Sequence, residues 1–131
     1  MLADTNVVVA LLSSGSMPDS LEARTLVESA VAEGERLVIT EGVLVECVWV
    51  LISRFGHVPA DVSRMVSELL VTPPFRLWNG RLALAALRLM AAEPRLDIVD
   101  CLLLERSIAS GEPIATFDRL ARRIGDELVE I

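Results

Sequence analysis

Short aliphatic segments alternate with longer segments of helical apolar spacing along the whole chain. Residues 36–40 contain three consecutive aliphatic side chains, the pattern of a strand that is buried on both faces of a parallel sheet. Further strands are predicted at residues 2–4, 75–78, 113–116 and 128–131. The alternation predicts an α/β domain with a mostly parallel sheet, in which ligands bind beyond the carboxyl ends of the strands.

The segments between these strands carry the start and stop signals of helices. Asp19 followed by Glu22 is a capping-box pattern, and Gly34 suits the end of the same helix. Pro59 suits the first turn of a later helix, and Gly125 is expected to end the last one. Helices are predicted over residues 6–13, 19–33, 41–55, 59–71, 81–93, 97–110 and 119–124.

The composition limits the classes of protein to which the chain can belong. Its 131 residues suffice for one domain with a single core, and 53% of them are hydrophobic. No run reaches the roughly 18 apolar residues of a membrane helix, and no basic segment precedes Leu2, so we expect a cytoplasmic protein without a signal peptide. Cys47 and Cys101 lie far apart within apolar runs and are expected to be buried free thiols.

The charge balance bears on nucleic-acid binding. The net charge is −7, and all 12 basic residues are arginines. An acidic total argues against a nonspecific nucleic-acid binder, whose binding surface is normally basic. Clustered carboxylates that hold a metal ion also lower the net charge, and the arginine fork suits phosphate. A nuclease is therefore not excluded by the charge.

Two acids in the first half of the chain are poorly explained by an ordinary surface position. Asp4 lies between two apolar runs, where an unpaired buried carboxylate is costly, although it could also be a helix N-cap. Glu46 has no polar residue three or four positions away, so it is expected to be buried and functional, with a solvated position as the alternative. Glu41 competes with it but lies in the first helical turn, where an acid complements the helix dipole.

Three acids in the second half of the chain complete the candidates. Asp97 and Asp100 are three residues apart and can lie on one side of a helix, although Asp97 could be only a cap. Asp118 follows a predicted strand, as Asp4 does, and is either an N-cap or part of the same site. Converging carboxylates repel one another unless a divalent cation neutralises them, and ligand sets made only of oxygen favour Mg²⁺ or Mn²⁺. Such an ion lowers the pKa of its bound water and stabilises charge on phosphorus oxygens.

Four motifs contain these acids and span nearly the whole chain. They are Asp4-Thr5-Asn6, Thr40-Glu41-Gly42-Val43-Leu44-Val45-Glu46, Asp97-Ile98-Val99-Asp100-Cys101-Leu102-Leu103 and Thr116-Phe117-Asp118-Arg119. Each motif by itself is weak. In order, spacing and total length, however, the chain resembles a PIN-domain ribonuclease, specifically a VapC-type toxin of a bacterial type II toxin–antitoxin pair.

The resemblance implies a fold and a catalytic site. The fold would be a three-layer α/β/α PIN domain over residues 1–131, with a mostly parallel five-stranded sheet. One or two Mg²⁺ or Mn²⁺ ions would be held by an acidic quartet, Asp4, Glu46, Asp100 and Asp118. A metal-activated water would then hydrolyse RNA phosphodiester bonds. Residues that support the ligands or position the substrate would be Thr5, Asn6, Asp97 and Thr116.

The resemblance also implies partners. These are an RNA substrate, a cognate VapB-type antitoxin whose tail enters the active-site groove, and a second copy of the chain in a homodimer within a larger assembly. Beside the fourth acid, Arg119, Arg122 and Arg123 are candidates for RNA contact, with a solvated helix face as the alternative.

Three other functions are alternatives to a ribonuclease. A catalytically weak module of the same fold, acting through an antitoxin or by binding RNA, is the main alternative, and the low count of basic residues supports it. Receiver domains and aspartyl phosphatases also place acids at strand ends. A receiver needs a late lysine, and this chain has none; the phosphatases need a second aspartate where Asn6 stands.

Overall fold

A computed structural model describes residues 1–13, 15 and 17–129 of the chain. In chain order the elements are α1 (Thr5–Leu12), α2 (Ser20–Glu33), β1 (Leu37–Ile39), α3 (Glu41–Ser53), α4 (Pro59–Leu70), β2 (Phe75–Leu77), α5 (Gly80–Ala92), α6 (Ile98–Ser110) and α7 (Arg119–Val129). The first six helices begin and end within about two residues of the predicted bounds.

The sheet of the described residues has two strands. β1 and β2 pair in parallel, with Val38 opposite Arg76. On the other side of β1, Leu2 forms an isolated parallel bridge with Val38, and the Ala3 N–H donates to the Val38 carbonyl at 2.9 Å. Parallel pairing in a mixed helix and strand fold is therefore confirmed, whereas the prediction of five strands is wrong for this part of the chain.

Two of the predicted strands do not form in the described residues. Residues 113–116 form irregular chain: Pro113 has no N–H to donate to a ladder, and Ala115 is exposed. The predicted strand at residues 128–131 is wrong for its first two residues, which end α7, while its last two lie outside the described residues. α7 also continues through Gly125 rather than ending there.

The start of α2 differs from its predicted capping box. Asp19 has φ −89° and ψ 6° rather than the extended backbone of a typical N-cap, and its side chain makes no cap hydrogen bond. The other end of the helix agrees with the prediction, because Gly34 takes the left-handed conformation that glycine adopts without steric cost.

The core lies between the short sheet and the helices. α4 and α5 pack against β2, and α3 contacts α1, α4 and α6. α6 also packs along α5 and contacts α7, so it joins three neighbouring helices. Cys47 and Cys101 belong to the central cluster and are buried free thiols, as expected. In the part of the chain that the structure describes, no helix is long and apolar enough to cross a membrane.

Candidate active site

Three helices begin at one edge of the sheet. The bridged segment at Leu2 and the strands β1 and β2 run in parallel, and each leads directly into α1, α3 or α5. Asp4 and Thr40 are the N-caps of α1 and α3. Thr40 accepts a hydrogen bond from the Val43 N–H at 3.4 Å, whereas the Asp4 side chain makes no cap hydrogen bond. The Asp4 carboxylate is therefore not engaged in capping the helix that it precedes.

Asp4 and Glu46 lie close to the contact between α1 and α3. The Cys47 thiol donates to the Thr5 carbonyl oxygen at 4.0 Å, which joins the two helices. Burial, together with the negative charges of Glu46 and then Asp4, raises the pKa of the Cys47 thiol to about 12. Glu46 precedes Cys47 and Asp4 precedes Thr5, so this hydrogen bond places both predicted ligands beside the contact between α1 and α3.

Asp4 and Glu46 are both exposed, so the expectation that they are buried is wrong. α3 turns a different set of side chains into the core, among them Leu44, Cys47 and Leu51. Its outer face carries apolar residues as well, and Trp49 is 66% exposed. The apolar neighbours of Glu46 therefore indicate an unusually apolar surface rather than burial.

Asp97 and Asp100 form a capping box at the start of α6. The Asp100 N–H donates to Asp97 Oδ1 at 2.8 Å, and the Asp97 N–H donates to Asp100 Oδ2 at 3.4 Å. The interpretation of Asp97 as a cap is thus confirmed. The Asp97 carboxylate also holds the backbone of Asp100, so the cap sets the position of a predicted ligand.

Besides burial, the negative charge of Asp118 contributes to a raised pKa of the Asp100 carboxyl. Burial and the Asp97 carboxylate raise the pKa of Asp100, the hydrogen bond from the Asp97 backbone opposes that rise, and the Asp118 charge adds to it. Asp118 accepts a hydrogen bond from the Leu120 N–H at 2.9 Å, and its own N–H donates to Thr116 Oγ1 at 3.0 Å. Thr116 therefore helps to position the backbone of Asp118.

Asp4 and Glu46 thus border the contact between α1 and α3, while Asp118 acts on Asp100 through its charge. The contact between α3 and α6 links the elements that carry Glu46 and Asp100. Among the described side chains, however, no three histidine, cysteine, aspartate or glutamate residues stand close enough to hold one metal ion together. The four-ligand arrangement remains a prediction.

The chemistry of these residues fits a divalent cation. All donors are carboxylate oxygens, which Mg²⁺ and Mn²⁺ prefer. Burial first, and then the negative charges of Asp97 and Asp118, raise the pKa of Asp100, and a cation would offset the part that is due to charge. Next to Asp4, the Thr5 hydroxyl is buried and has no hydrogen-bond partner within the described chain. A hydrogen bond to a water of the bound ion would remove the cost of this orphaned group.

The three arginines proposed for RNA contact differ in their surroundings. Arg122 donates to the Thr116 carbonyl oxygen at 2.6 Å, so it supports the segment before Asp118. Arg119 and Arg123 are exposed and make no ion pair within the described residues. Asn6, the remaining predicted site residue, is exposed and lines a cavity of about 340 Å³ between α1 and α2.

Sequence reasoning missed two features near the acids. A groove of about 330 Å³ lies between α3 and the start of α6, with Trp49, Val99 and Asp97 among its lining residues. Farther along α6, Arg106 forms an ion pair with Glu41 in the first turn of α3. In the sequence, the sign of this ion pair was Arg106 itself, a charged residue that comes after a strongly apolar stretch of α6.

Comparison with known proteins identifies the family of the chain. No curated protein and no solved structure matches the chain. The PIN domain family matches residues 1–127, a range that includes all four acids of the predicted quartet. PIN domains are generally nucleases and typically use divalent metals. Because the match covers almost the whole sequence, the chain belongs to the PIN domain family.

Proposed function

We propose that the protein is a metal-dependent endoribonuclease, the toxin of a type II toxin–antitoxin pair. The observation that carries the proposal is the acidic start of α6, where the Asp97 and Asp100 carboxylates lie together in the capping box and the charge of Asp118 adds to the rise that burial causes in the pKa of Asp100. Such a region has a functional explanation if it binds a cation. Membership of a family of nucleases supports the same conclusion.

In this mechanism Asp4, Glu46, Asp100 and Asp118 would hold Mg²⁺ or Mn²⁺. The ion supplies an activated water and stabilises charge on the phosphorus oxygens of RNA. The chain's own residues position the ligands. Asp97 holds the first turn of α6, and Thr116 holds the backbone N–H of Asp118.

The direct test is cleavage of single-stranded RNA with Mg²⁺ or Mn²⁺ present. Asp100→Asn and Asp118→Asn remove a charge with little change of volume, so we expect both to abolish cleavage and the rise in Tm caused by the metal. At a metal concentration of 100 times its Kd, binding should stabilise the natural protein by about 2.7 kcal/mol, which is the source of this rise in Tm. Asp126→Asn changes an exposed acid of α7 and is the matched control. Full cleavage by Asp100→Asn would refute the assignment.

The toxin role adds two partners and a compartment to the proposal. We expect a VapB-type antitoxin and a second copy of the chain to bind this protein in the cytoplasm. Support comes from the exposed apolar side chains beside the acids, since Trp49, Val99 and Leu103 are 66%, 46% and 48% exposed. Expression of the protein alone should arrest growth, and coexpression of the antitoxin should relieve the arrest. Growth arrest by Asp118→Asn at the level of the natural protein would contradict a catalytic toxin.

A catalytically weak binding module is the second candidate. The observation in its favour is that the described acids do not form a group of three around one point. Metal binding at the acids with no cleavage of any RNA, together with growth arrest unaffected by Asp118→Asn, would favour this function over the first.

A further inference from the structure

A cavity of about 660 Å³ lies between the start of α5 and the second half of α6. Its volume falls within the roughly 300–1,000 Å³ of typical small-molecule sites. Its walls include apolar side chains, Leu82 and Ala85 from α5 and Ile108 from α6. Ile108 is 44% exposed, so the cavity leaves apolar surface in contact with water.

Two arginines also line this cavity. Arg81 is exposed, and within the described part of the chain its guanidinium makes neither a hydrogen bond nor an ion pair. Arg106 forms its ion pair with Glu41 through one terminal nitrogen, and this pair holds the guanidinium at the cavity wall. Because a guanidinium has five N–H donors, Arg106 can keep this pair and still donate to a second anion.

The cavity is connected to the acids through α6, which contributes residues to its wall and also carries Asp100. α5 follows β2 directly, so its start is at the sheet edge where α1 and α3 also begin. Along α6, Arg106 is six residues from Asp100, about 9 Å along the helix axis. A few linked nucleotides can span that separation.

We propose that this cavity is a nucleotide subsite for single-stranded RNA, a conclusion that rests on the proposed function. Arg81 and Arg106 contact one phosphate of the strand, and the apolar walls receive its base. Charge complementarity supports this occupant, since the Arg81 guanidinium has no partner among the described residues and Arg106 keeps further N–H donors beside its pair with Glu41. Glu105 also lines the cavity, and its carboxylate disfavours a second phosphate.

Binding of a fluorescent single-stranded RNA, measured in EDTA so that no cleavage occurs, tests the phosphate contact. We expect Arg81→Ala to weaken binding and to reduce the slope of log K against log salt by about 0.7, the value for one phosphate of a single strand. Arg88→Ala is the matched control, because Arg88 is an exposed arginine of α5 that is not among the cavity's lining residues. Equal affinities and equal salt slopes for the two variants would overturn the proposal.

An abasic RNA of the same length tests the base contact. The natural protein should bind it more weakly than the ordinary RNA. Ala109→Trp, which fills the cavity from an exposed position on α6, should remove that difference. Equal binding of the two RNAs by the natural protein would overturn the subsite. If synthetic polyglutamate bound more tightly than RNA, and Arg81→Ala weakened that binding, the occupant of the cavity would instead be an acidic protein segment.

The outcome for this subsite is separable from the outcome for the proposed function. Arg81-dependent RNA binding without cleavage of any RNA supports the subsite and rejects the enzyme. Cleavage that requires Asp100, with an unchanged salt slope in Arg81→Ala, supports the enzyme and rejects the subsite.

Discussion

Gly125 controls how closely α7 approaches α6. A Cβ atom built on Gly125 would lie 3.0 Å from Cδ2 of Leu104, shorter than the roughly 3.5–4.0 Å of favourable carbon contacts. Leu104 is only 2% exposed, so its side chain has little room to move away. The glycine therefore permits a helix approach that alanine would widen.

Two opposing terms set the expected effect of Gly125→Ala. Replacing a glycine inside a helix by alanine stabilises the folded protein by about 1 kcal/mol, whereas overpacking a filled core destabilises it by about 1–3 kcal/mol. We expect the substitution to lie between neutral and about 2 kcal/mol destabilising. In a Leu104→Ala background, which itself costs about 2–5 kcal/mol, the contact is absent and the same substitution should stabilise by about 1 kcal/mol.

Urea unfolding of the four proteins in this double-mutant cycle measures the coupling. Gly42→Ala in α3 is a control, because a Cβ there meets nothing within 4 Å and should be tolerated in either background. If Gly125→Ala stabilised the protein equally with and without Leu104, the close contact would be refuted. A larger Gly125→Leu change should also lower metal affinity, because α7 begins directly after Asp118.

Three further predictions concern groups around the site. Thr5→Val should raise the free energy of unfolding of the metal-free protein by about 1 kcal/mol in urea titrations, because it removes a buried hydroxyl without a partner; a loss of stability would show that the hydroxyl is bonded. Asp97→Ala should lower the same free energy by about 1 kcal/mol and Asp97→Asn by much less, and equal losses would contradict the cap. Burial raises the pKa values of Cys47 and Cys101 to about 12, so thiol reagents at neutral pH should label both only after denaturation, and rapid labelling of the native protein would argue against their burial.

The exposure of Glu46 shows a limit of pattern analysis. Apolar residues three and four positions away suggested that it was buried, because the exposed faces of helices are usually polar. Here α3 exposes Trp49 on its outer face, so the pattern could not separate core from surface. Only the packing of α1 and α6 against α3 decides which of its side chains meet water.

The sheet shows a second limit. Residues 37–39 and 75–77 were predicted from their own composition, and they do pair in parallel. Residues 113–116 have a comparable local pattern, but a strand also requires a neighbouring edge with free hydrogen-bonding groups. A segment's own residues carry no information on whether such an edge lies beside it.

The sequence by itself determined the features whose causes lie within a few residues. The cap at Asp97, the left-handed end at Gly34 and the start of α3 at Glu41 depend on nearby backbone groups, so local patterns predict them. Tertiary structure alone decided the long-range pairs. Glu41 meets Arg106 across 65 residues of sequence, and Gly125 meets Leu104, because the packing of α6 against its neighbours brings distant segments together.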